Sequence, residues 1–341
     1  MRNEPNQNQA GIESLADLLR KKNHFLLLSH VSPDGDALGS MIALGDALRS
    51  LGKNVKLFNE TGVPSRYSFL PRAAEVTGRL GRLADFEVAI LLDCHSLKRA
   101  GVRFSQTDQL PLLAVLDHHE VGDPVSAAVT VIDPQTAATG ELVYQLLITM
   151  GVSITPEMAT NLYTAISTDT GSFNFDNTTA SCLEVAAALV DSGARPWDIY
   201  RQLNFNLPPE RLRILSQTLG GVDYYYKGQL GTLTIDSEIM SAAQIYEIDT
   251  EDFVSFPRSI KGVELAVLIT ENGGGVCHVS LRSQGRVNAA AMAKSFGGGG
   301  HRNAAGFSIS GSAESVKSRV IAAAASFMPR EEDRSLYEAE P

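Results

Sequence analysis

Cysteine is scarce in this chain of 341 residues, and its three copies, Cys94, Cys182 and Cys277, stand far apart. An odd number with no C-x-x-C spacing argues against a disulfide framework or a thiolate metal knuckle. Reduced core thiols in a cytoplasmic protein are the expectation. Long apolar runs are also missing: nothing approaches the roughly 18 residues that a bilayer span requires, so no membrane partner is expected. The opening residues, MRNEPNQNQAG, are polar and carry no apolar core of a secretory signal. Basic charge is short as well. Lys and Arg total 29 against 39 Asp and Glu, a formal net charge of −10, and no basic stripe is visible. A grip on long duplex or single-stranded nucleic acid normally needs such a stripe. A nucleic-acid substrate would therefore have to be short and held by a few well-placed cations.

What is present is an ordinary globular composition, 44% hydrophobic and 20% charged, in a chain long enough for two cores. After the polar leader, ESLADLLRKK reads as a short amphipathic helix, and HFLLLS at 24–29 as a strand. Residues 36–51 have helical spacing and stop at Gly52. NVKLF (54–58), EVAILL (87–92), LLAVL (112–116) and VTVI (129–132) are further strands, alternating with helical patterns. Their unbroken apolar character predicts burial on both faces, hence a parallel sheet in an α/β domain. Helices are predicted at 136–150, 155–168 and 178–192. The expected division is a catalytic domain over 12–195, a connector over 196–228 with one helix from Pro209 to Leu219, and a smaller α/β domain over 229–330. The charged segment from Pro329 reads as a frayed tail. The Tyr224–Tyr226 patch reads as packing for the connector or for a subunit contact, with a homodimer as the partner that this would imply.

The acidic and histidine residues fall at strand ends. His30 follows the first strand and opens HVSPDGDALGS, which supplies Asp34 and Asp36; Asp93 ends EVAILLD; Asp117, His118 and His119 end LLAVLDHH. In open α/β sheets the functional crevice lies at the carboxyl ends of the strands. Three strands thus deliver His and Asp groups to one edge, and Asp169 at the end of NLYTAIST is a fourth source. Each residue taken singly has a plainer reading: His30 as a core histidine, Asp34 and Asp36 as turn residues, Asp93, Asp117 and Asp169 as caps. Only the whole set overturns these. Cys94 and His95, directly after Asp93, read as a buried thiol and a loop imidazole. Carboxylates and imidazoles without thiolate favour Mn²⁺, with Mg²⁺ or Co²⁺ as substitutes, over structural zinc. The candidates exceed one octahedron, which points to two cations about 3.5–4 Å apart.

Those residues resemble the DHH phosphoesterases. The HxxPDxDxxGS turn (30–40), Asp93, the DHH triplet at 117–119 and Asp169 match that family's motifs in order, and GGGGHRNAAG (297–306) looks like the signature of the accompanying DHHA1 domain. Length and plan are most similar to the nanoRNase/pAp-phosphatase branch. The resemblance implies that His30, Asp34 and Asp93 hold one cation, while Asp36, Asp93, His118 and Asp169 hold another. It implies further that His119 faces the scissile phosphate and that Asp117 orients a neighbouring histidine. The implied activity is hydrolysis of very short oligoribonucleotides to 5′-mononucleotides, with removal of the 3′-phosphate of 3′-phosphoadenosine 5′-phosphate (pAp) alongside it.

Four ionised carboxylates and two dications would cancel, so a substrate phosphate needs positive charge from elsewhere. Arg282 and Ser283 in VSLRS, Gly298, Gly299 and Gly300, and His301 are the candidate substrate contacts, the glycine amides included. Two rival activities remain open at this point: a manganese-dependent inorganic pyrophosphatase, for which SLRSQGR lacks the expected lysines, and a phosphodiesterase of linear or cyclic dinucleotide messengers.

Overall fold

The computed structural model describes residues 7–105, 111–119, 125–205, 208–242, 250–271 and 274–328. The charged segment from Pro329 lies outside the described residues. The chain divides into two compact units at residues 206 and 207.

The first unit is built on β1 (His24–Leu28), β2 (Asn54–Phe58), β3 (Val88–Leu92), β4 (Leu112–Asp117) and β5 (Val129–Ile132). They pair in the order β2-β1-β3-β4-β5, and every pair is parallel. Alternate residues serve opposite faces. Phe25, Leu27, Val88, Ile90, Leu92, Ala114 and Leu116 join a core made with the helices. Leu26, Leu28, Ala89, Leu91, Leu113 and Val115 join a second core with Phe58, Ala100 and Phe104. Both faces are dry, which is why the strands lack polar alternation. The helices are α1 (Gln7–Lys21), α2 (Gly35–Ser50), the single turn α3 (Val102–Ser105), α4 (Thr139–Met150), α5 (Pro156–Asp169), α6 (Ala180–Asp191) and α7 (Pro196–Asn204). Gly52, at φ 77°, supplies the left-handed turn that ends α2. Helix α1 starts within the polar leader, earlier than the apolar spacing indicates, because Ile12, Leu15, Ala16 and Leu19 anchor it to the core.

The second unit carries α8 (Pro209–Leu219), β6 (Asp223–Tyr225), β7 (Leu230–Ile235), α9 (Ser237–Ala242), α10 (Ser255–Arg258), β8 (Leu265–Glu271), β9 (Val276–Ser283), α11 (Ala289–Lys294), β10 (Gly299–Gly300), β11 (Ala304–Ser310) and α12 (Ala313–Ala324). Its sheet runs β10-β11-β9-β8-β7-β6, with only β7 and β8 parallel. The segment expected as a connector is shared out: α7 packs on α5 in the first unit, and α8 on β7 in the second. The tyrosine patch is strand and turn. Tyr225 and Tyr226 pack on the second core, and the Tyr226 hydroxyl donates to Ile321 O at 2.6 Å. Among the described residues, no helix is long and apolar enough to cross a membrane.

Candidate metal centre

Parallel pairing puts the ends of β1, β3 and β4 on one edge, and the acidic and histidine residues gather there. His30 leaves β1 only 8% exposed. Its Nδ1 lies 2.9 Å from Val31 O, which can only accept, so Nδ1 carries the proton and Nε2 faces the centre. Asn59, fully buried, holds the His30 peptide by donating to its carbonyl at 2.7 Å. Nε2 of His30 is 3.4 Å from Asp93 Oδ2 and 3.9 Å from Asp34 Oδ1. Asp34, half exposed, caps α2 by accepting from Ala37 N at 2.9 Å.

Asp36, in the first turn of α2, is completely buried. It accepts from Thr139 N at 2.6 Å, Gly140 N at 2.9 Å and Ser40 Oγ at 3.0 Å, so the start of α4 fixes where its oxygens lie. Asp93 follows β3 in the left-handed region at φ 59°, uncommon for a non-glycine residue and found where a site over-determines the backbone. His118 donates through Nδ1 to Thr136 O at 3.2 Å. Its Nε2 then meets three carboxylates: Asp36 at 3.7 Å, Asp93 Oδ1 at 3.6 Å and Asp169 at 3.4 Å. Asp169 ends α5, and Asn177 ties its carbonyl to that of Ala137 by donating to both.

The six expected ligands thus come together as two groups, His30–Asp34–Asp93 and Asp36–His118–Asp169, each with ligand atoms within 4.8 Å of one another. Asp93 touches both, one oxygen each. Charge crowding shows in the titration of these groups. Burial and the charges of Asp93, Asp169 and Asp34 push Asp36 well above the usual carboxylate range. Burial, with Asp34 and Asp93 nearby, lifts Asp169 to about 7. Burial opposes charge on His30, but the hydrogen bond to Asp93 and the charges of Asp34 and Asp93 outweigh it and lift the imidazole to about 9. Burial also opposes charge on Asp93, yet the bond to His30 and the nearby histidines hold it below the usual range. Oxygen and nitrogen donors crowded with negative charge fit divalent cations of the Mn²⁺ or Mg²⁺ kind.

Asp117 is buried among four donors: His95 Nδ1 at 2.6 Å, His119 Nδ1 at 2.7 Å, His118 N at 2.8 Å and His119 N at 3.2 Å. These donors hold it below the usual range despite burial. His119, bonded through Nδ1, turns Nε2 to the far side of its ring. It also lies in reach of Asp93 and Asp117 as a third ligand-like group. His95, which reads in the sequence as a plain loop imidazole, is a partner of this centre; its place two residues beyond Asp93, at the same sheet edge, is the available signal. Thr139 and Asn59 escape sequence reasoning because nothing in TAATGE or LFNET marks a hydroxyl or amide that reaches a distant carboxylate or peptide.

In the second unit, β9 pairs Arg282 with Ala304 of β11, and His301 closes the turn before β11 by donating its amide to Ala304 O at 2.7 Å. The glycines are required there. A Cβ on Gly298 would sit 2.2 Å from Gly306 O, and one on Gly300, at φ 138°, would sit 2.5 Å from Ala304 O. Two expected contacts are already engaged. The Gly298 amide donates to Ala293 O at the end of α11. Ser283, 3% exposed, accepts from Gly285 N at 2.9 Å. Arg282, Gly299, Gly300 and His301 are at least partly accessible.

Comparison with known proteins matches residues 24–166 to the DHH family, N-terminal domain, and residues 242–328 to the DHHA1 domain. The bifunctional oligoribonuclease and PAP phosphatase NrnA of Thermus thermophilus is 35% identical over 84% of this chain and 84% of its own. The enzyme of the same name from Bacillus subtilis is 25% identical over 83% and 88%. An exopolyphosphatase-related protein from Bacteroides fragilis superposes with a TM-score of 0.84 at 27% identity, covering 93% of this chain and 96% of that one. RecJ of Thermus thermophilus, solved with Mn²⁺, shares the fold at a TM-score of 0.53 and 17% identity, over 93% of this chain and 55% of its own. With both motif domains matched in order and a relative of that identity over most of both chains, this chain belongs to the DHH family of phosphoesterases, with a DHHA1 domain behind its DHH domain.

Proposed function

We propose that the chain hydrolyses very short oligoribonucleotides to 5′-mononucleotides and also removes the 3′-phosphate of pAp, with two divalent cations, manganese foremost. The observation that carries this reading is the pair of ligand groups sharing Asp93, in a chain 35% identical to an enzyme named for both activities. His30, Asp34 and Asp93 would hold one cation, and Asp36, Asp93, His118 and Asp169 the other. Such a pair supplies a water of lowered pKa and polarises the phosphoryl oxygens. The protein's own part is to keep Nε2 of His30 and His118 aimed inward, through the bonds their Nδ1 atoms make to Val31 O and Thr136 O. Asp117 does the same for His119 by accepting from its Nδ1, which leaves Nε2 to donate to a phosphate oxygen when the ring is protonated. Arg282, His301 and the glycine backbone at 299–300 would supply positive and amide groups for a substrate phosphate.

A panel of di- to decanucleotides, pAp, cyclic dinucleotides and pyrophosphate, assayed on one purified sample with Mn²⁺, Mg²⁺ or Co²⁺, tests this. Turnover of dinucleotides and pAp above the rest is expected. A preference for pyrophosphate or a cyclic dinucleotide would replace the proposal with that activity.

A further inference from the structure

Thr139 is the first residue of α4, is fully buried, and makes two bonds into the centre from one position. Its amide donates to Asp36 Oδ2 at 2.6 Å and its hydroxyl to Asp93 Oδ1 at 3.0 Å. A carboxylate carried on strand β3 and one carried on helix α2 are thereby tied to the same residue. Asp93 needs such a tie. Rotation about a carboxylate's terminal bond is broad and twofold, yet Asp93 must present different oxygens to two groups: Oδ2 to His30, and Oδ1 to His118. His30 Nε2 lies 3.4 Å from the Oδ2 side. On the Oδ1 side, the short bond from a neutral donor is that of the Thr139 hydroxyl, whose χ1 is restricted by its β-branch.

We propose that the Thr139 hydroxyl is a positioning group that sets how Asp93 divides its oxygens, so that its loss weakens the cation site of Asp36, His118 and Asp169 and spares that of His30 and Asp34. The asymmetry follows from the donors. Both Thr139 bonds fall on atoms of the Asp36–His118 half, whereas His30 Nε2 and Asp34 Oδ1 receive none from it. This inference rests on the two-cation reading above.

The test is calorimetric titration of the full chain with Mn²⁺ alone. Wild type is expected to bind two ions. Thr139→Val keeps the shape and the amide bond to Asp36 but removes the hydroxyl. One of its two binding steps should be unchanged and the other about 10–100-fold weaker, the usual size of an outer-sphere loss. Thr139→Ser, which restores the hydroxyl, should recover the weakened step. If the valine variant does not fold, Thr139→Ala removes the same group without added bulk and is judged by the same two steps. Fewer than two ions on wild type would overturn the two-cation reading and the inference with it. Two ions on wild type, with both steps unchanged or both equally weakened in the variant, would overturn the inference alone. So would failure of serine to recover the weakened step.

Discussion

Asp93 lies against both halves of the candidate centre, with one oxygen toward each. Asp93→Ala removes an oxygen from each ligand group, so turnover should be abolished at saturating Mn²⁺, while melting of the metal-free protein changes far less. Retained turnover above background would refute the bridging role. The DHH triplet divides differently. His118→Ala should lose metal, since its Nε2 faces three carboxylates. His119→Ala should keep two ions and lower kcat by about 10²–10⁴; elemental analysis showing the reverse pattern would exchange these roles. Protons give an independent check. In the metal-free protein His30 titrates at about 9 and Asp169 at about 7, so near pH 7 the first is protonated and the second about half so. A ligand imidazole must be neutral and a ligand carboxylate ionised, so binding must expel those protons. Mn²⁺ affinity should therefore rise as pH increases from 7 through about 9, as His30 and Asp169 give up their protons. Calorimetry in buffers of different ionisation enthalpy measures this, and absence of release at pH 7 would contradict it.

At the scale of elements, the centre depends on how closely α2 can approach α5, since one brings Asp36 and the other Asp169 to the same imidazole. Gly35 and Gly39 make that approach possible. A Cβ at Gly35 would lie 2.4 Å from Thr168 Oγ1, and one at Gly39 would lie 2.3 Å from Asn161 O. Gly39→Ala pushes against backbone that cannot turn aside. It should cost about 1–3 kcal/mol of stability and weaken Mn²⁺ binding together with it. An unchanged melting temperature would mean that the helices separate freely. The sequence shows these glycines as part of the PDGDALGS turn, but not that they serve helix packing, because the partner surface lies more than a hundred residues on. The same limit governs the other elements. Strands β1 to β5 and their dry faces are legible in unbroken apolar runs, and the clustering of the candidate ligands is legible because strand ends deliver them to one edge. Helix α7 is not, because its outward residues Trp197 and Tyr200, with Phe205 just beyond it, are exposed aromatics that blur its polar face. Nor is β10, since four glycines in a row read as a loop until register pairs Gly299 with Gly306. His95 stays hidden because its partner, Asp117, joins it only through the sheet.

For the molecule as a whole, charge decides what substrate length can be used. The net charge of −10 repels a polyanion at a distance. In the proposed centre four ionised ligand carboxylates would offset two dications, so the centre itself would add little attraction. The phosphate contacts proposed above are local: His119 in the first unit, and Arg282, His301 and the backbone of Gly299 and Gly300 in the second. Each further phosphate adds negative charge beside a chain that is already at −10. kcat/KM should accordingly fall as the oligonucleotide lengthens beyond a few units, even though the scissile bond is the same. Salt supplies the second arm of the test. For single strands the logarithm of affinity falls with the logarithm of salt concentration by about 0.7 per neutralised phosphate, so a site engaging one or two phosphates should show a slope of about −0.7 to −1.4. Arg282→Ala or His301→Ala should raise KM for a dinucleotide and flatten that slope while metal content stays at the wild-type value. Equal kcat/KM for a dinucleotide and a twenty-mer, or a steep salt slope that survives both substitutions, would mean that an extended phosphate-binding surface exists and that local contacts do not set the length limit.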